Sequence, residues 1–302
     1  MNKSKAILLL LRLPFLTVTL GAVFLGNALA YYYAQQFDFI RFILVLVGAS
    51  FLHIACNVGN DYFDFKSGND ASNINAMVPF SGGSRMILDG FVKPGEALVV
   101  SFVFAVLGSM IGLYLNALVK GNIILLIGIA AIFFVYSYNG FPFRLVNIKL
   151  GETAIFLAWG PLMVMGAFYV QAENFASIWP VMVSSVSGIL TTLVLLINEF
   201  ADKEADESSG RKTWVILFGY KKSLYIYFFL ALSCYLIVTV CVIGGGLPLW
   251  SLMVFVTLPL PFIAFRTGLK NIGNWPDFFP AIKTTILMNF ALLVILSISL
   301  VI

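Results

Sequence analysis

Residues 39–70 read FIRFILVLVGASFLHIACNVGNDYFDFKSGND. As far as Cys56 the run is apolar apart from Arg41, Ser50 and His53; then Asn57, Asn60, Asp61 and Asp64 follow at offsets of 0, 3, 4 and 7. Offsets of three and four put side chains on one face of a helix. A membrane span needs roughly 20 mainly apolar residues. Residues 39–61 therefore read as a membrane helix whose end carries a stripe of amides and carboxylates.

The whole chain has the same character. Of its 302 residues 61% are hydrophobic and 11% charged, against roughly 45–50% and about 25% in soluble globular chains. Eighteen Lys and Arg against 14 Asp and Glu leave a net charge of +4, small and scattered, which argues against a nucleic-acid partner. Cys56, Cys234 and Cys241 sit in apolar segments without CxxC spacing, so neither thiolate metal sites nor a disulfide framework is expected. Lys3 and Lys5 before an apolar run resemble a signal peptide. The run is too long for one and Arg12 interrupts it, so it reads as a retained first helix.

Turn residues and charges cut the chain into nine apolar stretches: 6–30, 39–61, 95–118, 121–138, 152–170, 179–200, 223–243, 247–265 and 281–302. Open sheet edges are not tolerated in hydrocarbon. The expected fold is all-α: a polytopic membrane bundle of nine transmembrane helices forming a single domain over 1–302. With a cytoplasmic N-terminus, most loop Lys and Arg fall on the cytoplasmic side and Arg41 and Lys120 opposite, as the positive-inside bias requires. An odd span count puts the C-terminus outside. Twelve of the 14 acids share the cytoplasmic side, with Asp38 and Glu173 opposite. A polar site facing the cytoplasm is expected, whereas a transporter more often places ionisable groups near the midplane.

A second stripe ends the sixth stretch, with Asn198, Asp202 and Asp206 at steps of four. Shifting the chain by 138 residues lays Asn60 on Asn198, Asp61 on Glu199 and Asp64 on Asp202, which suggests two related halves. Carboxylates that converge repel, and burial makes their ionisation costlier. A hard divalent cation suits the space between them, because Mg²⁺ takes oxygen ligands and commonly binds through one or two carboxylates plus substrate phosphates. Asn57, Asn60, Asp61, Asp64, Asn198, Asp202 and Asp206 are the candidate ligands.

Beside each stripe lies a loop suited to phosphate, 79–85 (PFSGGSR) and 208–213 (SSGRKT). Glycine admits an anion to backbone N–H groups, and Arg or Lys adds charge-assisted bonds. A third loop, 136–144, is aromatic and continues to Lys149. Tyr136 and Tyr138 there fit either a cavity wall or an interfacial aromatic belt; Arg144 and Lys149 fit either phosphate contacts or topology signals. His53, one turn before Asn57, reads as a packed or hydrogen-bonded histidine. Arg12, a guanidinium within a span, should face protein or water and help neutralise the acids.

The segments Asn57-Val-Gly-Asn60-Asp61-Tyr-Phe-Asp64-Phe-Lys66-Ser-Gly68 and Asn198-Glu-Phe-Ala-Asp202-Lys-Glu-Ala-Asp206 resemble the two aspartate-rich motifs of the UbiA superfamily of intramembrane prenyltransferases. Gly210-Arg211-Lys212-Thr213 and Leu150-Gly151-Glu152 are similar to its 1,4-dihydroxy-2-naphthoate branch, and the resemblance spans 12–219. Many relatives have Asp where Gly68 stands here, with Asp70 two residues beyond. The resemblance implies a helical bundle whose cavity opens to the membrane. A polyprenyl diphosphate would lay its tail among lipid and its head between the acidic helices. Asp61, Asp64, Asp202 and Asp206 would act through Mg²⁺, Lys66, Arg85, Arg144, Lys149, Arg211 and Lys212 would hold diphosphate, and Arg12, Tyr136 and Tyr138 would line the cavity. The implied reaction transfers the prenyl group to an aromatic quinone precursor through an allylic cation. Cyclisation of the prenyl chain, transfer to a lipid alcohol, and cation-coupled transport are the alternatives.

Overall fold

A computed structural model of the chain describes residues 1–302 apart from Pro79 and Ala176. Pro79, at the head of the first expected phosphate loop, lies outside the described residues. Helices account for the architecture, and the described residues include no strand.

The order is α1 (Lys3–Leu10), a 3₁₀ turn (Leu13–Phe15), α2 (Leu16–Ala34), α3 (Phe39–Ser67), short α4 (Asn69–Ser72), α5 (Pro94–Leu118) and α6 (Ile123–Ser137). Next come α7 (Gly151–Leu157), a π turn (Ala158–Leu162), α8 (Met163–Ala172), α9 (Trp179–Ser208), α10 (Trp214–Ile243), a 3₁₀ stretch (Leu249–Thr257), α11 (Pro259–Lys270) and α12 (Trp275–Ser299). Among the described residues eight helical segments are long and apolar enough to cross a membrane. Of the nine expected spans, stretch 121–138 is also an apolar helix but a shorter one, the 15-residue α6, about 22 Å at the helical rise against a hydrocarbon core of about 30 Å.

The first expected span is broken. Arg12 adopts a left-handed conformation (φ 50°, ψ 46°) between α1 and the 3₁₀ turn, so it stands at a corner and not inside a continuous helix. Conversely, α3 and α9 run to Ser67 and Ser208, well past the apolar runs that end near 61 and 200. Hydropathy marks where hydrocarbon stops; the helices continue until a cap stops them, which for α3 is Gly68 at φ 77°, the usual left-handed helix end. The overhanging turns carry the acidic stripes.

Close packing fixes how those turns face each other. A Cβ on Gly160 would come within 2.9 Å of Gly188 Cα, and one on Gly188 within 2.5 Å of Phe156 O, so α9 and the π turn meet backbone to backbone, as small residues permit in membranes. Ser187 Oγ donates to Trp159 O at 2.8 Å, satisfying a carbonyl at the turn where Pro161 interrupts the helical ladder. Ser101 Oγ donates to Ala55 O at 2.7 Å and ties α5 to α3. The largest core cluster includes Leu25 of α2, Leu190, Leu193 and Phe200 of α9, and Phe278 of α12, all essentially unexposed. At the end of α3 remote from the acids, Arg41 pairs with Glu173 at 3.0 Å, and Lys120 N donates to the same carboxylate at 3.3 Å.

Candidate active site

The two overhanging stripes open into one cavity of about 980 Å³ measured to its mouth. Asn57, Asn60 and Asp64 of α3 and Asn198, Asp202 and Asp206 of α9 line it. Arg211, from the loop after α9, bridges them: its Nη1 donates to Asp206 Oδ1 at 2.9 Å and its Nη2 donates to Asp64 Oδ1. Burial works against the Arg211 charge, but Asp64 and then Asp206 outweigh it and hold the guanidinium more firmly protonated than usual.

Each acid also has a neutral clamp. Asn139 Nδ2 donates to Asp64 Oδ1 at 2.9 Å and, at 3.4 Å, to Asn60 Oδ1. Asn69 Nδ2 donates to Asp206 Oδ1 at 2.9 Å. Asn73 Nδ2 donates to Asp202 Oδ1 at 2.6 Å, joined there by Ser81 Oγ. Asp61 accepts from Ser84 N at 3.0 Å and faces Arg12 at 3.5 Å. The loop after α3 thus folds back over α9, tying the two stripes together.

Asp70 lies two residues beyond Gly68, in the short helix α4. It is buried, its Oδ1 has no hydrogen-bond partner, and a Cβ on Gly83 would lie 3.0 Å from Asp61 Oδ1 and 3.3 Å from Asp70 Oδ1, so both carboxyls crowd one glycine. Burial, then the charges of Asp64 and Asp61, pushes the Asp70 carboxyl up to about 8. Glu152 and Glu199 form a deeper acidic pair: Trp214 N–H donates to Glu152 Oε1, while both Glu199 oxygens and Asn198 Oδ1 lack a partner.

These unpartnered oxygens fit a hard cation. Among the described residues no three His, Cys, Asp or Glu gather closely enough to hold a metal ion alone. The donor set therefore suits an ion that brings water or phosphate oxygens with it, as Mg²⁺ does.

The remaining candidates divide. Arg12 and Tyr138 line the cavity. Arg144 joins Asp64, Asn139 and Arg211 around a small side recess. Arg85 turns away, to Asn73 O at 3.3 Å and Asp89 at 3.9 Å. Lys66, Lys149 and Lys212 are exposed, and Tyr136 lines neither the acid cavity nor the apolar groove that adjoins it. Lys66 lies two residues beyond Asp64, more than half a turn round α3, and Lys212 alternates with inward-facing Arg211 and buried Thr213.

Trp159 carried no sequence signal, yet it sits where the acid cavity meets an apolar groove between α3, α5, α6 and α7–α8. Its Nε1 donates to Thr19 Oγ1 at 3.3 Å, Thr19 Oγ1 lies 2.7 Å from His53 Nδ1, and the His53 and Trp159 rings meet edge-on at 4.9 Å. His53, Cys56, Tyr138, Ile155 and Trp159 line both spaces. An anionic head fits the first compartment and a hydrocarbon tail the second.

Known proteins resemble this chain in sequence and in fold. A 2-carboxy-1,4-naphthoquinone phytyltransferase from Synechocystis sp. is 28% identical over 267 residues, covering 87% of this chain and 81% of that protein. A 1,4-dihydroxy-2-naphthoate octaprenyltransferase from Bacillus subtilis is 28% identical, covering 85% and 79%. The solved structure of a UbiA homologue from Archaeoglobus fulgidus bound to GPP and Mg²⁺ shares the fold at TM-score 0.65 and 14% identity, covering 96% of this chain and 99% of that one. The UbiA prenyltransferase family profile matches residues 16–293, and the chain belongs to that family of prenyltransferases.

Proposed function

We propose that the chain transfers a prenyl group from a prenyl diphosphate to an aromatic acceptor of the dihydroxynaphthoate class, with Mg²⁺, at the cytoplasmic face of the membrane. The observation that carries this reading is the junction of an acid-lined cavity with an apolar groove at Trp159 and His53. The activities for which the Synechocystis and Bacillus subtilis relatives are named support a naphthoate acceptor. The excess of loop Lys and Arg on the side of the acidic helix ends, against Arg41 and Lys120 opposite, supports the orientation.

Asp64, Asp202 and Asp206, with the Asn57 and Asn198 amide oxygens, are the residues to hold Mg²⁺, and Glu199 offers further oxygens. Bound there, the ion supplies positive charge to the departing diphosphate, where preorganised charge is most effective if water is excluded. Arg211 and Arg12 add guanidinium donors on either side. The bond from prenyl C1 to oxygen breaks and its electron pair leaves with diphosphate. The Trp159 and Tyr138 ring faces border the resulting allylic cation. The acceptor's ring carbon then bonds to C1 and passes its proton to the released diphosphate, which restores the aromatic ring.

The test is purified protein in lipid nanodiscs with Mg²⁺, a prenyl diphosphate and 1,4-dihydroxy-2-naphthoate, reading diphosphate release and product mass. Asp64→Ala and Asp202→Ala are expected to abolish Mg²⁺-dependent release in a folded bundle, by about 100-fold or more. Near-normal turnover in both variants rejects the metal assignment, and no release with any substrate pair rejects the function.

A further inference from the structure

The apolar groove has a length, and the length has a chemical meaning. It begins at the junction with the acid cavity and runs away from it, with about 1010 Å³ of space measured to its open side. Its walls extend along α3 from Cys56 to Val45, along α6 from Tyr138 to Ile124 and along α7–α8 from Ala154 to Val170, which is ~16–24 Å at the helical rise. Buried Val45, Leu115, Ile124 and Val170 pack into one cluster at the far end and close it.

Two glycines on the wall are unexplained by packing. Gly48 and Gly108 have an ordinary reason to be small, since a Cβ there would come within 2.9 Å of Ile111 and Leu52 respectively; they let α3 and α5 approach. Gly112 of α5 and Gly128 of α6 differ, because a Cβ on either would meet nothing within 4 Å. Glycine in mid-helix weakens a helix relative to alanine, so space without a neighbour there suits an occupant absent from the chain itself. Gly128 lies ten residues from Tyr138 along α6, ~15 Å below the junction. The mouth of the groove points to the same occupant, because Asn57 Nδ2, on a residue 7% exposed, is unpartnered in the adjoining cavity.

We propose that the groove measures the prenyl tail and is built for four isoprene units, a C20 chain, with Gly112 and Gly128 leaving room for its third and fourth units. The proposal rests on the prenyltransferase reading above and adds the substrate's length. From ordinary bond lengths an extended isoprene unit spans ~5 Å, so four units fill ~20 Å and reach the Leu115–Ile124 closure. Eight units, ~40 Å by the same measure, exceed the groove and must leave it sideways into lipid.

The experiment measures kcat/KM in nanodiscs for C10, C15, C20 and C40 all-trans prenyl diphosphates with Mg²⁺ and 1,4-dihydroxy-2-naphthoate. The wild-type value is expected to climb to C20 and climb no further at C40; a C40 value more than about tenfold above C20 overturns the proposal. Gly112→Leu and Gly128→Leu are expected to lower the ratio of C20 to C10 turnover by about 30-fold, and Gly112→Ala by less. That ratio does not depend on how much of a variant folds. Unchanged ratios in both leucine variants overturn the proposal and make the groove a lipid crevice. Absence of release with every chain length instead removes the prenyltransferase reading, so the two failures are distinguishable.

Discussion

Arg211 and Asp206 are joined at 2.9 Å, Nη1 to Oδ1, while Nη2 of the same guanidinium holds Asp64 on the facing helix. One side chain therefore ties together stripes that begin at Asn57 and Asn198, 141 residues apart. Removing one partner of a buried ion pair is costly, because the other charge is left uncompensated; values of about 3–5 kcal/mol are typical. Arg211→Ala should lower the melting temperature sharply, and Mg²⁺ should recover more of the loss than it adds to wild type. Its exposed neighbour is the control: Lys212→Ala should stay within about twofold of wild type in stability and turnover. Equal effects of the two substitutions, read by thermal melts with EDTA and with Mg²⁺, contradict the bridging role.

Trp159 is held by Thr19 and braced by His53, so its indole face is fixed where the two compartments meet. A desolvated cation over an aromatic face gains about 1–2 kcal/mol, about tenfold in rate. Trp159→Leu should lower kcat by about that factor, and Trp159→Phe, which keeps a ring and loses the donor to Thr19, should fall between. Single-turnover kinetics separate this from binding. A leucine variant with wild-type kcat removes Trp159 from the chemistry.

Gly82 and Gly90 have similar backbones, at φ 70° and 76°, in different surroundings. A Cβ on Gly82 would press within 2.4 Å of Ala76 Cβ and 3.0 Å of Asn73 Nδ2, the amide that clamps Asp202; on Gly90 it would touch nothing within 4 Å. Gly90→Ala should show left-handed strain alone, about 1 kcal/mol, with normal activity. Gly82→Ala should also displace Asn73 and cut Mg²⁺-dependent release by about tenfold or more. Matching activities in the two variants would show that the Asn73 clamp has no part in the site.

At the far end, the hydrogen bond from Arg41, with smaller help from Lys120, holds the Glu173 carboxyl below its ordinary range. A carboxylate with a depressed folded-state pKa stabilises the fold above its unfolded value of about 4.3, and that contribution fades as pH falls through the folded value. Glu173→Gln should therefore melt slightly earlier at pH 7, by no more than about 1 kcal/mol for so accessible a pair. The difference should shrink as the medium is acidified below pH 4. A gap that widens in acid has the wrong sign for this pair.

Much of this was legible in the sequence because both stripes have helical spacing, and spacing survives translation into space. Asn57, Asp64, Asn198, Asp202 and Asp206 meet at one cavity, as their offsets suggested. Hydropathy was a poorer guide to length, since α3 and α9 outrun the apolar segments and α6 falls short of a full span. Among basic residues, composition does not distinguish a phosphate contact from a topology signal: Arg211 faces inward, whereas Lys66, Lys149 and Lys212 face solvent. The clamps Asn69, Asn73 and Ser81 depend on the return path of the loop after α3, which no periodicity encodes. Trp159 depends on a π turn that rotates the helix locally.

Both compartments are built from side chains no further along the chain than Thr213 among the described residues. The three long segments beyond it act as scaffolding, pressing Phe278 against Phe200 and Phe279 against Phe80 from behind. Mutational drift should accordingly run on two clocks, slow through the working portion and faster through the buttress, where any greasy surface of matching contour serves.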